Sequence, residues 1–323
     1  MKKLPVIIDC DPGHDDAIAL IAALASERLE VLGVTAAAGN QTVDKTEKNA
    51  RKVLEICART DIPVAKGRGK PLWNPLSVAP EIHGDSGMDG PVLPEPSMPV
   101  CREPAAALMA RLVEESPEPV ALIVTGPCTN TAVFLLSYPH LWKKIAKISV
   151  MGGGAFEGNR TALAEFNIWT DPEAARIVLE SGIPVEIYGL DVTHKALIYR
   201  EEFALFRERE GMVFQFLADL LDFFGGTYLE ARKFPGAPMH DSCAVIGLTN
   251  PELFTYVETD MSVETESPRS RGALTMDLRP AAGKKPSVCG KIALDVDREK
   301  FLQVLLGACE TITRQRREKG YAS

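Results

Sequence analysis

Short apolar runs alternate along this chain with segments whose apolar residues recur every three or four positions. The runs at 4–9, 29–36, 62–65, 119–125, 145–151 and 184–189 predict strands. The periodic segments at 14–26, 41–59, 103–116, 129–137 and 171–181 predict helices between them. Val120-Ala121-Leu122-Ile123-Val124 is apolar throughout, as a strand covered on both faces should be. Strand-helix alternation implies a parallel sheet with right-handed crossovers. Helix starts are marked as well. Thr42, or Asn40 before it, can cap the second helix, and Asp171-Pro172-Glu173 sets a capping Asp before a Pro at the first helical position. Beyond about residue 200 the pattern turns helical (201–224 and 240–248). Strand-like pieces follow at 261–266 and 288–295, then a helix at 297–317. Two segments, 67–101 and 225–239, read as long loops, which in compact domains often serve as lids or binding loops. The expectation is one α/β domain over residues 1–323.

Composition narrows the class. The 323 residues are 46% hydrophobic and 25% charged, ordinary for a globular protein able to bury a large core. A net charge of -8 argues against nucleic acid and anionic membrane surfaces as partners. Seven scattered cysteines with no CxxC pair read as reduced thiols of a cytoplasmic protein. Lys2-Lys3 and the apolar residues after them mimic a secretion signal, but the run stops at Asp9, too short for one. No stretch is long enough to span a bilayer.

The chemistry begins where the first strand ends. Asp9-Cys10-Asp11-Pro12-Gly13-His14-Asp15-Asp16 gathers four acids in eight residues. A helix cap needs one acid, not four; such crowding is relieved by a hard cation such as Ca²⁺ or Mg²⁺. The carboxyl end of a strand is also where open α/β sheets place their active sites. In an extended chain Asp9 and Asp11 would point to one side, with Asp15 and Asp16 in the first turn of the following helix.

Further candidates recur at later strand ends. Gly39-Asn40-Gln41-Thr42 offers an Asn suited to a sugar hydroxyl, although Asn is also a common turn residue. Ile82-His83-Gly84-Asp85-Ser86-Gly87 puts a His in the long loop. Thr125-Gly126-Pro127-Cys128-Thr129-Asn130 exposes a carbonyl that could ligate a cation, and fits an ordinary tight turn equally well. Met151-Gly152-Gly153-Gly154 allows close backbone approach to a ligand but lacks the Lys-Ser/Thr of a phosphate loop. Asn159 and then Glu165-Phe166-Asn167 follow, with Glu165 and Asn167 two apart as a pair for hydroxyl groups. Met239-His240-Asp241 adds a carboxylate and a possible acid. His14, His140 and His194 carry no functional signal of their own.

In this order the motifs resemble the inosine-uridine-preferring nucleoside hydrolase family over about residues 4–306. Asp191-Val192-Thr193-His194-Lys195, Leu220-Leu221-Asp222-Phe223-Phe224 and Asn250-Pro251-Glu252-Leu253-Phe254 resemble its bacterial pyrimidine-specific subgroup. The resemblance implies an open αβα sandwich on a mostly parallel, mixed sheet with a Rossmann-like core and a helical C-terminal part. It implies one Ca²⁺ held by Asp11, Asp16, the Thr125 carbonyl and Asp241, with a water and two ribose hydroxyls completing the shell. Asp11 would also be the general base. Asp15, Asn40, Asn159, Glu165 and Asn167 would hold the ribose, and Met151 would also contact the substrate. His83, His240, Phe166 and Tyr228 would surround the base, and His240 would protonate the leaving group. A homo-oligomer, dimer or tetramer, is implied too. The segment 225–239, with Gly225-Gly226-Thr227-Tyr228 and Ala231-Arg232-Lys233, departs from the pattern of pyrimidine enzymes and leaves inosine open beside uridine and cytidine.

The implied reaction is hydrolysis of an N-ribosyl bond through an oxocarbenium-like transition state. Ca²⁺ acidifies water less than Zn²⁺ does, so a carboxylate base beside it is required. Two other readings compete. A haloacid-dehalogenase-type phosphatase also opens on a strand and Asp-x-Asp, but Pro12-Gly13 stands where its Thr should follow. A nucleoside-binding protein without turnover would not need an acid cluster together with His240.

Overall fold

The computed structural model describes residues 2–279 and 290–321, and within them not the side chains of Ala231 and Arg232. Eight strands form the main sheet. They are β1 (Leu4–Cys10), β2 (Leu29–Ala36), β3 (Val64–Lys66), β4 (Val120–Val124), β5 (Ile145–Met151), β6 (Val185–Tyr188), β9 (Phe254–Glu258) and β12 (Gly290–Val296). Their order is β3-β2-β1-β4-β5-β6-β12-β9. All neighbours pair in parallel except β12 and β9, so the sheet is mixed only at one edge. The order reverses between β1 and β4, and there the acid cluster emerges. Such a switch point opens a crevice between neighbouring crossovers.

Helices cover both faces. α1 (His14–Ala25), α2 (Val43–Ile56), α10 (Met212–Arg232), α11 (His240–Thr249) and α12 (Arg298–Glu318) lie on one side; α4 (Ala105–Glu115), α5 (Thr129–Ser137) and α7 (Pro172–Leu179) lie on the other. The strand alternation divides the core. Val6 and Ile8 of β1 join the first cluster and Ile7 the second. Every residue of α1 is buried, because the helix is enclosed by sheet, α11 and α12. That explains its lack of a polar face.

Shorter elements complete the chain: α3 (Pro80–His83), α6 (Phe166–Thr170), α8 (Leu190–Thr193), α9 (Ala204–Arg207), and the antiparallel pairs β7 (Leu197–Tyr199) with β8 (Gly236–Pro238) and β10 (Met261–Val263) with β11 (Leu274–Met276). No helix among the described residues is long and apolar enough to cross a membrane.

Two expectations need correction. The segment 225–239 is not a loop: α10 runs on to Arg232, and β8 follows after an interval of three residues. Gly225 serves the helix by proximity, since a Cβ there would overlap the Phe203 ring. Nor is 201–224 one helix; a 3-10 turn and α9 precede α10, separated from it at Gly211 with φ +124°. The strand expected at 288–295 begins outside the described residues and is seen from Gly290. The 67–101 stretch is irregular apart from α3, as expected.

Candidate active site

The carboxyl ends of β1, β2, β4 and β5 and the starts of α1 and α11 converge on a cleft. Asp15, Asn40, His83, Thr125, Met151, Asn159, Glu165, Phe166, Asn167, Tyr228, His240 and Asp241 all line it. Asp11 and Asp16 lie just beneath, fully buried.

The four acids at the start of the chain divide into two kinds. Asp9 is part of the scaffold. Its carboxylate accepts from Thr35 Oγ1 (2.8 Å), Asn130 Nδ2 (2.9 Å) and Thr131 Oγ1 (2.8 Å), joining β1 to β2 and α5. Burial raises it to about 6, with those three donors pulling the other way. Asp15 lines the cleft, and Asp11 and Asp16 are buried beside it. Carboxylate oxygens of Asp15, Asp16 and Asp241 lie within 4.8 Å of one another. Asp16 is held from all sides: Thr125 Oγ1 donates to Oδ1 at 2.8 Å, and Gly13 N (3.0 Å) and Asn40 Nδ2 (3.2 Å) donate to Oδ2.

Asp11 is held on one side only. Oδ2 accepts from the Asn40 backbone N–H at 2.6 Å, while Oδ1 is buried with no hydrogen-bond partner among the described residues. Asp15 Oδ1 is left in the same state. Burial and then the neighbouring carboxylates push Asp11, Asp15 and Asp241 well above the usual range; burial also raises Asp16. Bare buried carboxylate oxygens are costly. Oxygen-only donors, several of them anionic and two of them bare, fit a hard divalent cation. Glycines make this crowding feasible. A Cβ on Gly39 would overlap Asp11 Oδ2, and one on Gly126 would sit 2.7 Å from Asp11 Oδ1.

The opposite wall is built on α6. Glu165 caps that helix: Oε1 accepts from Asn167 N (2.9 Å), and Oε2 from Gly153 N (2.9 Å) and Ile168 N (3.3 Å). It therefore ties the Gly152-Gly153-Gly154 turn to the cleft, and burial raises it to about 7. Asn167 Nδ2 donates to the Thr125 carbonyl at 2.7 Å and the Met151 carbonyl at 3.2 Å. Asn159 Oδ1 accepts from Phe166 N at 2.8 Å.

The third wall carries aromatic and imidazole rings. Tyr228 Oη lies 2.9 Å from His240 Nε2, and His240 Nδ1 lies 2.7 Å from Thr193 Oγ1. His83 comes in on the long loop, which Gln41 and Asn49 fasten. Gln41 Nε2 donates to the Asp85 carbonyl at 3.2 Å, and Asn49 Nδ2 to the Pro12 and Ser86 carbonyls at 3.0 Å each. These anchors were missed in the sequence, where neither residue has a chemical signature. His14 was missed too. It is buried behind His83, 3.2 Å away between Nδ1 atoms, and burial lowers it to about 4. His194 packs edge-on against His240, whereas His140 contacts Tyr138 and does not line the cleft.

The order of these motifs on this sheet is matched by a whole family. Residues 6–303 match the model for inosine-uridine preferring nucleoside hydrolases. The chain belongs to that family. It is 50% identical to the pyrimidine-specific ribonucleoside hydrolase RihA of Citrobacter koseri over 94% of this chain and 96% of that one. The RihA of Escherichia coli O8 is 49% identical over 94% and 97%. Among solved structures, the purine-preferring ribonucleoside hydrolase of Gardnerella vaginalis superposes with a TM-score of 0.90 at 30% identity, covering 96% of this chain and 99% of that one. The α/β fold expected from the sequence is that of the family.

Proposed function

We propose that this nucleoside hydrolase cleaves the N-ribosyl bond of uridine and cytidine, releasing free base and ribose, with Asp11 as general base. The observation that carries the reading is the bare Oδ1 of Asp11, buried beside Asp15, Asp16 and Asp241 at the floor of the cleft. The near-50% identity to relatives named for pyrimidine ribonucleosides supports the choice of base.

Asp11, Asp16, Asp241 and the Thr125 carbonyl would hold Ca²⁺, with Asp15 alongside. Bound there, the ion supplies positive charge that acidifies water and fixes ribose hydroxyls in register with it. The rest is done by the chain. Asp11 takes a proton from the attacking water at Oδ1, its other oxygen being committed to Asn40. Asp15, Asn40, Asn159, Glu165 and Asn167 hold the ribose, and the negative and amide oxygens around it favour charge developing on the sugar. Positioning of water and sugar removes part of the entropic barrier.

Departure of the base needs a proton. Both ring nitrogens of His240 are engaged, one with Tyr228 Oη and the other with Thr193. His240 therefore delivers the proton in concert with the Tyr228 hydroxyl. Phe166, His83 and Met151 shape the pocket around the base. Direct attack by water makes the enzyme inverting. The whole chain acts as one hydrolase domain, a cytoplasmic homo-oligomer by this reading.

Uridine, cytidine, inosine, adenosine and 2′-deoxyuridine, offered side by side without phosphate, test the proposal. Free base and ribose from uridine and cytidine, with deoxyuridine untouched, are expected. Preference for inosine would overturn the pyrimidine choice. Release of phosphate from sugar phosphates without free base from nucleosides, or binding without any turnover, would overturn N-ribosyl cleavage.

A further inference from the structure

His83 and His14 form a chain of contacts that ends on a backbone carbonyl. His14 Nε2 lies 2.7 Å from the Asp89 carbonyl oxygen, which can only accept, so that nitrogen carries a hydrogen. The His14 ring lies parallel to Phe223 and Phe224, with centroids 5.1 and 5.3 Å away. The neutral ring therefore carries its one hydrogen on Nε2. His14 Nδ1 is then a bare acceptor. It faces His83 Nδ1 at 3.2 Å, so His83 must donate from that nitrogen. The same edge of the His83 ring is pressed on Gly13, where a Cβ would sit 2.5 Å from Nδ1. His83 Nε2, on the other edge, has no hydrogen-bond partner among the described residues, and the residue lines the cleft.

We infer that His14 is a positioning residue that fixes the tautomer of His83, so that His83 offers an unprotonated Nε2 as a hydrogen-bond acceptor to a donor group of the bound ribonucleoside. The two histidines of the cleft then have different duties. His83 accepts from the substrate, and the proton for the leaving base comes from the Tyr228–His240 pair. The substrate half of this inference rests on the ribonucleoside reading above; the tautomer half does not.

Ring ¹⁵N spectra of the full-length protein, with His83 assigned by its loss in His83→Gln, read the tautomer without any turnover. The expected result is a protonated Nδ1 and an unprotonated Nε2 on His83, with the opposite arrangement on His14. A protonated Nε2 on neutral His83 would overturn the inference. His14→Phe keeps an aromatic ring in the slot but removes the acceptor. In that variant His83 should populate both tautomers, and KM for the ribonucleoside should rise about three- to tenfold, the weight of one hydrogen bond, with kcat changed less than about twofold. An unchanged His83 spectrum in a folded His14→Phe protein would overturn the inference. So would an unchanged KM once the tautomer is lost. If the wild-type spectrum is as expected but no nucleoside is cleaved, the tautomer chain stands and the ribonucleoside reading fails.

Discussion

The backbone N–H of Asn40 donates to Asp11 Oδ2 at 2.6 Å and leaves Oδ1 with no partner among the described residues. One oxygen is anchored and the other is available, the geometry a general base requires. Asp11→Asn should therefore keep the fold, because the anchoring contact tolerates an amide oxygen. It should lose turnover by about 10²- to 10⁴-fold, the usual weight of a positioned base. Circular dichroism and uridine hydrolysis measured on one preparation check this. A near-normal rate would remove Asp11 from that role.

The His240–Tyr228 contact makes a prediction that depends on the leaving group. His240→Ala should slow uridine far more than p-nitrophenyl riboside, whose leaving group needs no proton. Tyr228→Phe removes the hydroxyl 2.9 Å from Nε2 and should show the same selectivity to a smaller degree. Equal losses on both substrates would mean that neither residue assists departure.

The crowding around Asp11 rests on two glycines. Gly39→Ala drives a methyl group into Asp11 Oδ2 and must displace that carboxylate. A shift of about 1 Å at a catalytic group can cost on the order of 10²-fold in rate. The expected result is a drop of that order in kcat/KM, with the melting temperature lowered by only a few degrees. Unaltered kcat/KM would show that the carboxylate position is not critical.

Removal of metal should couple to pH. Asp11, Asp15 and Asp241 are all raised in the folded state by burial and mutual repulsion, and Glu165 reaches about 7. A raised carboxyl binds more protons folded than unfolded, so stability falls as pH rises from about 4 through the raised values. A bound cation favours the ionised forms and reverses that slope. The gap in melting temperature between calcium-loaded and chelated protein should thus widen from pH 5 to pH 8. A gap that stays constant or narrows would argue against a cation among these acids.

Much of this was legible in the sequence because each motif follows an apolar run. Strands β1, β2, β4 and β5 and helices α1, α2, α5 and α7 fall where the pattern predicts. The first-turn positions of Asp15 and Asp16 follow from the Gly13 break. Other features depend on contacts that no local pattern encodes. Gly225-Gly226 reads as a helix breaker, yet α10 passes through it because Phe203 packs against the bare backbone of Gly225. Strand β12 inserts between β6 and β9 from far along the chain. Asp9 looks like a fourth cleft acid until Thr35, Asn130 and Thr131 are seen to saturate it. His14 looks idle until α10 supplies the rings that enclose it.

The central claim is that water, activated by Asp11, attacks the sugar directly. The anomeric form of the nascent ribose tests it. Uridine is a β-nucleoside, so proton NMR at the earliest times should show α-ribofuranose as the first product. β-Ribofuranose formed first would mean retention through a covalent intermediate, and would contradict a general-base role for Asp11.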